Sequence, residues 1–380
     1  MKPSRIFLLA GVVLLQFVLF ETGLRLEGGS EAAPVFQQLF MRDPNVGHRL
    51  RPGATAHYKT SEFESDIAIN SSGVRDAEIG PKAPSERRIV VLGDSLVLSV
   101  QVQAAETFCA RLQARLNEHP VEPGVRYRVI NAGVQGYGPV EEWAFFEHVV
   151  RHFEPDVVLI AVYVGNDAME ANDSGDQVMP TPKAVTDQAQ AYTVKPESRW
   201  PNWVRVVVRR SMVLQIVRMR VMELVDRFGK AHPIERALTM YLPRLPADMA
   251  HGLDVARECV RRIATRAAEQ GARTAVVLMP ARFQVADYDY ELLRPMAAAT
   301  GEELQRNAAT ERFARALADV RLQVMDAQPV LHGSPRHEEI FFRSTAHLTR
   351  LGHQVLADGL DRFLRESGLL LPAGGAPTSH

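Results

Sequence analysis

Cysteine is scarce. Cys109 and Cys259 are the only two in 380 residues, and their separation matches no metal-binding spacing. A cysteine-ligated metal centre is therefore excluded. Both fall in helix-like stretches and are expected as buried thiols, with a single disulfide as the alternative. An excess of one charge is also lacking. Lys and Arg number 44 against 45 Asp and Glu, for a net charge of −1, which speaks against a dedicated nucleic-acid binder. Glycines cluster in "NAGVQGYG" (131–138), but their spacing is not the dinucleotide fingerprint and no acid follows on the next strand. No cofactor is expected, and no metal. His148 and His152 stand four apart on a helix without a visible third ligand, so a solvated face is the expectation.

What is present begins with the N-terminus. Lys2 and Arg5 precede a nearly unbroken apolar run from Ile6 to Phe20. Extended to Leu26, it reaches roughly the ~20 residues a bilayer-spanning helix needs. Residues 1–26 are expected as a transmembrane signal-anchor, with the bulk of the chain outside the cytoplasm. Secretion after signal cleavage is the alternative.

Residues 27–86 read as a mixed, turn-rich lead-in. From there a rhythm sets in. Apolar runs at 87–93, 127–133, 156–165, 273–280 and 321–326 alternate with helical spacing at 107–117, 140–153, 251–271, 302–320 and 351–367. Strands apolar throughout, separated by helices, imply an α/β fold with a parallel sheet covered on both faces. The expected architecture is a flavodoxin-like, doubly wound, three-layer α/β/α domain over 87–368. Residues 170–250 break the rhythm as a helical insertion, in which arginines interleave with apolar residues between 203 and 229. It is expected to pack on the main domain, or to serve as a lid or lie on anionic lipid. Residues 369–380 are expected as a disordered tail.

In parallel sheets the working residues sit at the C-terminal strand ends, and three such ends carry polar residues. The first reads "VVLGDSL", placing Ser95 at the head of a helix, where backbone N–H groups are free; a plain capping role is the competing reading. Asp94 is expected to hold the turn. The second is the glycine cluster, which lets backbone approach a ligand. The third, "VGNDAM", puts Asn166 at a strand terminus, where its amide could donate to an oxyanion or simply satisfy a loop.

Together, in this order, these blocks resemble the SGNH hydrolase (GDSL esterase) family, in its membrane-anchored form. The resemblance runs from Arg88 to Asp167 and returns at 341–360; "INSSGVRD" (69–76) resembles a segment preceding the serine block in anchored members. The likeness implies Ser95 as nucleophile and His347 as general base. It implies an oxyanion hole from the N–H groups of Ser95 and Gly136 and the Asn166 side chain. The implied activity is hydrolysis of a small-molecule, lipid or glycan acyl ester through an acyl-enzyme. O-acyl transfer to, or deacetylation of, an envelope glycan is the alternative, and a weak or inactive relative is the second.

One element of the pattern is missing. The family writes Asp-x-x-His, but the slot three residues before His347 holds Ser344. An orienting acid fixes the imidazole tautomer and stabilises the imidazolium. Three explanations are open: Ser344 itself or a backbone carbonyl holds the imidazole, giving a slower Ser–His dyad; Glu338 or Glu339 reaches in; or the protein is inactive or nearly so. His353 reads as a structural residue.

Overall fold

Ile89, Val90, Val91 and Leu92 are all buried, two facing each way, so the strand they form must be covered on both faces. The computed structural model describes residues 32–173, 233–298 and 301–371 and builds that cover. Five strands form one parallel sheet: β5 (Glu86–Gly93), β6 (Arg126–Gly133), β7 (Val157–Tyr163), β8 (Arg273–Met279) and β9 (Gln323–Asp326). Their order is β6-β5-β7-β8-β9, every pairing parallel. This is the flavodoxin-like order expected from the rhythm. The chain steps outward from β5 to β6 and then returns past β5 to β7, so the topological switch point lies between β5 and β7.

Two core clusters flank the sheet. Val90 and Leu92 share one with α4 (Pro139–His148) and α7 (Ala247–Glu269); Ile89 and Val91 share the other with α3 (Phe108–Glu118) and α12 (Arg350–Glu366). Thr107 and Thr349 cap α3 and α12 with their hydroxyls. Cys109 and Cys259 are free buried thiols in opposite clusters.

The lead-in is more structured than its sequence suggests. It holds α1 (Ala32–Leu39) and two hairpins, β1 (Phe40–Asp43) with β2 (Gly47–Leu50) and β3 (Thr55–Lys59) with β4 (Glu64–Ala68). Strands of four or five residues are too short to show a period. Between the main strands lie α2 (Ser95–Leu98), α5 (Asp167–Asp173), α6 (Pro233–Leu238), α8 (Arg282–Val285), α9 (Asp287–Ala298), α10 (Ala308–Leu317) and α11 (Gln328–His332). The sequence pattern did not anticipate α9, which carries Pro295 within it. Leu369 and Leu370 are buried, so the start of the expected tail packs on the core. The expected membrane span at 1–26 and the basic centre of the insertion lie outside the described residues. Among the described residues no helix is long and apolar enough to cross a membrane.

Candidate active site

Ser95 owes its place to a tight strand-to-helix turn. A Cβ at Gly93 would lie 2.3 Å from Val97 Cγ2 and 3.2 Å from Ala161 Cβ, so glycine alone lets α2 fold back on the sheet. Asp94 caps α2, its Oδ1 accepting from the Leu96 N–H at 2.8 Å. Burial pushes the Asp94 carboxyl up to about 7. This leaves Ser95 half-buried at the first helical position, with neither its N–H nor its Oγ hydrogen-bonded among the described residues. The "INSSGVRD" segment fastens the far end of α2. The buried Arg75 guanidinium donates to the carbonyls of Leu98, Ser99 and Val102, a cation at a helix C-terminus. Its neighbour Asp76 accepts from the Asn131 N–H and from Arg128.

The end of β6 packs directly on α2. Asn131 Nδ2 donates to Val97 O at 2.7 Å, and a Cβ at Gly133 would lie 2.2 Å from Leu98 N. Beyond it, Tyr137 N–H donates to Val134 O, closing a turn in which Gly136 has φ 73°. That conformation suits glycine. The Gly136 N–H has no intramolecular partner among the described residues. The lead-in braces this turn: His48 Nε2 donates to Gln135 O at 2.8 Å, and Tyr137 OH donates to His48 O at 2.6 Å.

At the end of β7, Asn166 Nδ2 donates to Glu170 Oε1 at 2.8 Å. A carboxamide nitrogen has two hydrogens, so one remains. Around it gather buried carboxyls. Burial raises Glu170 to about 8, with the Asp94 charge contributing. Burial also holds Glu142 and Asp167 well above the carboxylate range, with the Glu142 charge adding to the Asp167 shift. The shared influence of Asp94 on Glu142, Asp167 and Glu170 puts the Ser95 turn and the Asn166 turn in one neighbourhood.

His347 stands on a loop between α11 and α12, tied as a narrow hairpin. Phe342 N–H donates to His347 O at 2.9 Å, Thr349 N–H to Ile340 O at 2.8 Å, and Phe341 bridges Leu348. Arg282, just past β8, donates to the carbonyls of Phe342 at 3.1 Å and Arg343 at 2.6 Å. Leu348 and Leu96, chain neighbours of His347 and Ser95, lie in the same core cluster. Both ring nitrogens of His347 are buried without a hydrogen-bond partner among the described residues, and burial lowers its pKa to about 4. His353 is buried, accepts from Phe108 N–H at 3.2 Å, and is lowered to about 3 by burial, then by Arg75, Arg111 and His347. It therefore serves the structural role expected of it.

None of Ser344, Glu338 and Glu339 hydrogen-bonds the His347 ring. Ser344 is turned to Glu62, on the β3–β4 turn, which accepts from Ser344 Oγ, from Ser344 N–H at 2.8 Å and from Arg343 N–H at 3.1 Å. Glu338 accepts from the N–H groups of Asp287 and Tyr288 at the head of α9. Glu339 pairs with Arg336. Each is committed to a nearer donor. The carboxylate that this loop does bind is Glu62, which holds Ser344 and Arg343 and not the His347 ring, with Arg282 the second anchor of the loop. Neither bears a local motif that would have marked it. A cavity of about 930 Å³ opens beside this loop, lined by Glu62, Phe63, Val102, Phe342 and Arg350 among others, but not by Ser95 or His347.

No family model matches the chain. No curated protein matches it either. Among solved structures, it is similar to TesA at 13% identity, covering 75% of this chain and 100% of that one with a TM-score of 0.41. A lipase/acylhydrolase from Enterococcus faecalis aligns at 13% identity, covering 74% and 96% of the two chains, with a TM-score of 0.40. The psychrotrophic esterase EstA from Pseudoalteromonas sp. aligns at 12%, covering 74% and 98%, with a TM-score of 0.39. Likeness this distant assigns no activity to this chain.

Proposed function

We propose that this chain is a serine esterase of SGNH type, cleaving an acyl ester through an acyl-enzyme on Ser95. One observation carries the reading. Three neighbouring strands, β6-β5-β7, deliver to one edge a serine Oγ, two backbone N–H groups and a spare amide hydrogen, the first three without partners among the described residues. Adjacent strands lie about 4.8 Å apart, so a carbonyl placed at the switch point is within reach of all three.

In the first step Ser95 Oγ attacks the ester carbon while His347 takes its proton. The oxyanion that forms accepts from Ser95 N–H, Gly136 N–H and Asn166 Nδ2; one such donor is worth about 2.7–4 kcal/mol in a protease. Collapse expels the alcohol, which takes the proton from the imidazolium. Water, deprotonated by His347, then releases the acid and restores Ser95. Its lowered pKa keeps His347 neutral, and so able to accept a proton, near pH 7. With both ring nitrogens unpartnered among the described residues, none of the described carboxylates hydrogen-bonds the imidazole. That favours a slow enzyme, since blunting the orienting Asp costs about 10⁴-fold in a serine protease. We also propose an extracytoplasmic place at the membrane, on the basic flank and apolar run of residues 1–26.

A fluorophosphonate probe tests the nucleophile. Labelling should occur in the wild type and vanish in Ser95→Ala, with turnover of p-nitrophenyl esters lost in parallel. Adding a glycan acceptor separates hydrolysis from transfer by product analysis. Absence of both labelling and turnover would leave a non-catalytic protein.

A further inference from the structure

Away from the Ser95 edge, α9, α11 and the turn after α11 bring two histidines and an aspartate together. One potential ligand atom each from Asp287, His332 and His337 lie within 4.8 Å of one another. The two imidazole rings stand 5.0 Å apart between centroids. Each ring is oriented by a carbonyl: His332 Nδ1 lies 2.9 Å from Val285 O, and His337 Nδ1 lies 3.3 Å from Ser334 O. A carbonyl only accepts, so each Nδ1 carries the hydrogen. Each Nε2 then presents a lone pair. Metal-bound histidines are held in this way, with the second nitrogen donating to a carbonyl or carboxylate.

The spacing agrees. Zinc takes nitrogen and oxygen ligands at about 2.0–2.2 Å in a tetrahedron, whose edges are then about 3.4 Å. His337 Nε2 lies 3.3 Å from Asp287 Oδ2 and 3.5 Å from Glu338 Oε1. Both lengths match such an edge, and both set an imidazole lone pair against a carboxylate oxygen. That opposition is unfavourable unless a cation lies between them. Arg306 does not fill the role: it binds the other oxygen of Asp287, Oδ1, and stacks on Tyr290. Glu338 Oε1 also accepts from the first N–H groups of α9, so its carboxylate is fixed in place.

We propose that Asp287, His332 and His337, with Glu338 alongside, form a structural site for a divalent transition cation such as zinc. The ion would clamp the start of α9 to the end of α11. The turn it holds runs on through Glu339 and Ile340 into the hairpin that carries His347. The site is independent of the reading of Ser95.

The test uses the full-length chain, stripped with a chelator and titrated with zinc by calorimetry and with cobalt by visible absorption. The expected result is one ion per chain. His337→Gln should weaken binding at least about 100-fold, remove the cobalt ligand-field bands and leave fluorophosphonate labelling of Ser95 unchanged. His332→Gln should do the same, and it decides the matter if His337→Gln fails to fold. Binding that is absent in the wild type, or equal in wild type and variants, overturns the proposal.

Discussion

Replacing Glu62 by alanine removes the carboxylate that anchors Arg343 and Ser344 in the His347 hairpin. Three donors lose their acceptor: Ser344 Oγ, Ser344 N–H and Arg343 N–H. Hydrogen bonds to a charged group contribute about 1.5–3 kcal/mol each when well shielded. Glu62 is only half-buried, so about 1 kcal/mol apiece is the appropriate scale after solvent screening. The loss comes to roughly 3 kcal/mol, which would be about 100-fold if all of it fell on the catalytic arrangement. It does not all fall there, because Arg282 still holds the carbonyls of Phe342 and Arg343 and the hairpin keeps its own hydrogen bonds. A drop of about tenfold in kcat, with KM nearly unchanged, is therefore expected. Glu62→Gln retains an acceptor oxygen and should recover part of it. The assay is steady-state hydrolysis of p-nitrophenyl acetate, with thermal denaturation alongside. Glu62→Ala activity within twofold of wild type would refute the reasoning. So would a loss that merely tracks global unfolding.

Other perturbations probe the same neighbourhood. Ser344→Asp sets a second carboxylate against Glu62, so it should slow the enzyme, whereas Ser344→Asp with Glu62→Gln should exceed the single Asp variant in kcat. Because His347 is lowered to about 4, the acid limb of kcat/KM should fall near pH 4; a limb near the ordinary imidazole value of about 6.5 would contradict the burial of that ring. The same depression means the unfolded chain binds the proton more readily, so native stability is full above about pH 6.5 and declines as pH falls toward 4. Glu142 works in the opposite sense: its carboxyl pKa is raised, so its contribution is intact below the ordinary carboxylate value and is lost as pH rises through the raised one. Glu142→Gln should therefore raise Tm at about pH 9 more than at about pH 5, and equal shifts would argue against a buried acid. At Gly252 a Cβ would lie 1.7 Å from Ala168 O. Gly252→Ala should cost about 3 kcal/mol or more, lower Tm by roughly 5–10 °C and displace α5 with Asn166; an unchanged Tm would mean α5 and α7 separate freely.

The strands and the three polar strand ends were legible because each signal is local. "RRIVVLG" is apolar on both faces within a single segment, and "GDS" follows it without a break. The expected strands at 87–93, 127–133 and 273–280 recur within a residue at each end. The lead-in hairpins were not legible, since β1 to β4 are too short to carry a period. Nor was the bracing of the Gly136 turn, which depends on His48, 87 residues from Gln135.

The sequence by itself determined that a buried parallel sheet would present Ser95 at the head of a helix, since a strand's apolar pattern and the glycine ending it are properties of adjacent residues. Only the tertiary structure decided what surrounds His347. Glu62 meets Ser344 across 282 residues of chain, and no local preference encodes such a meeting. It exists because burying the lead-in hairpins in the core they share with the sheet carries one carboxylate to Ser344, while Glu338 and Glu339, nearer in sequence, are bound to closer donors.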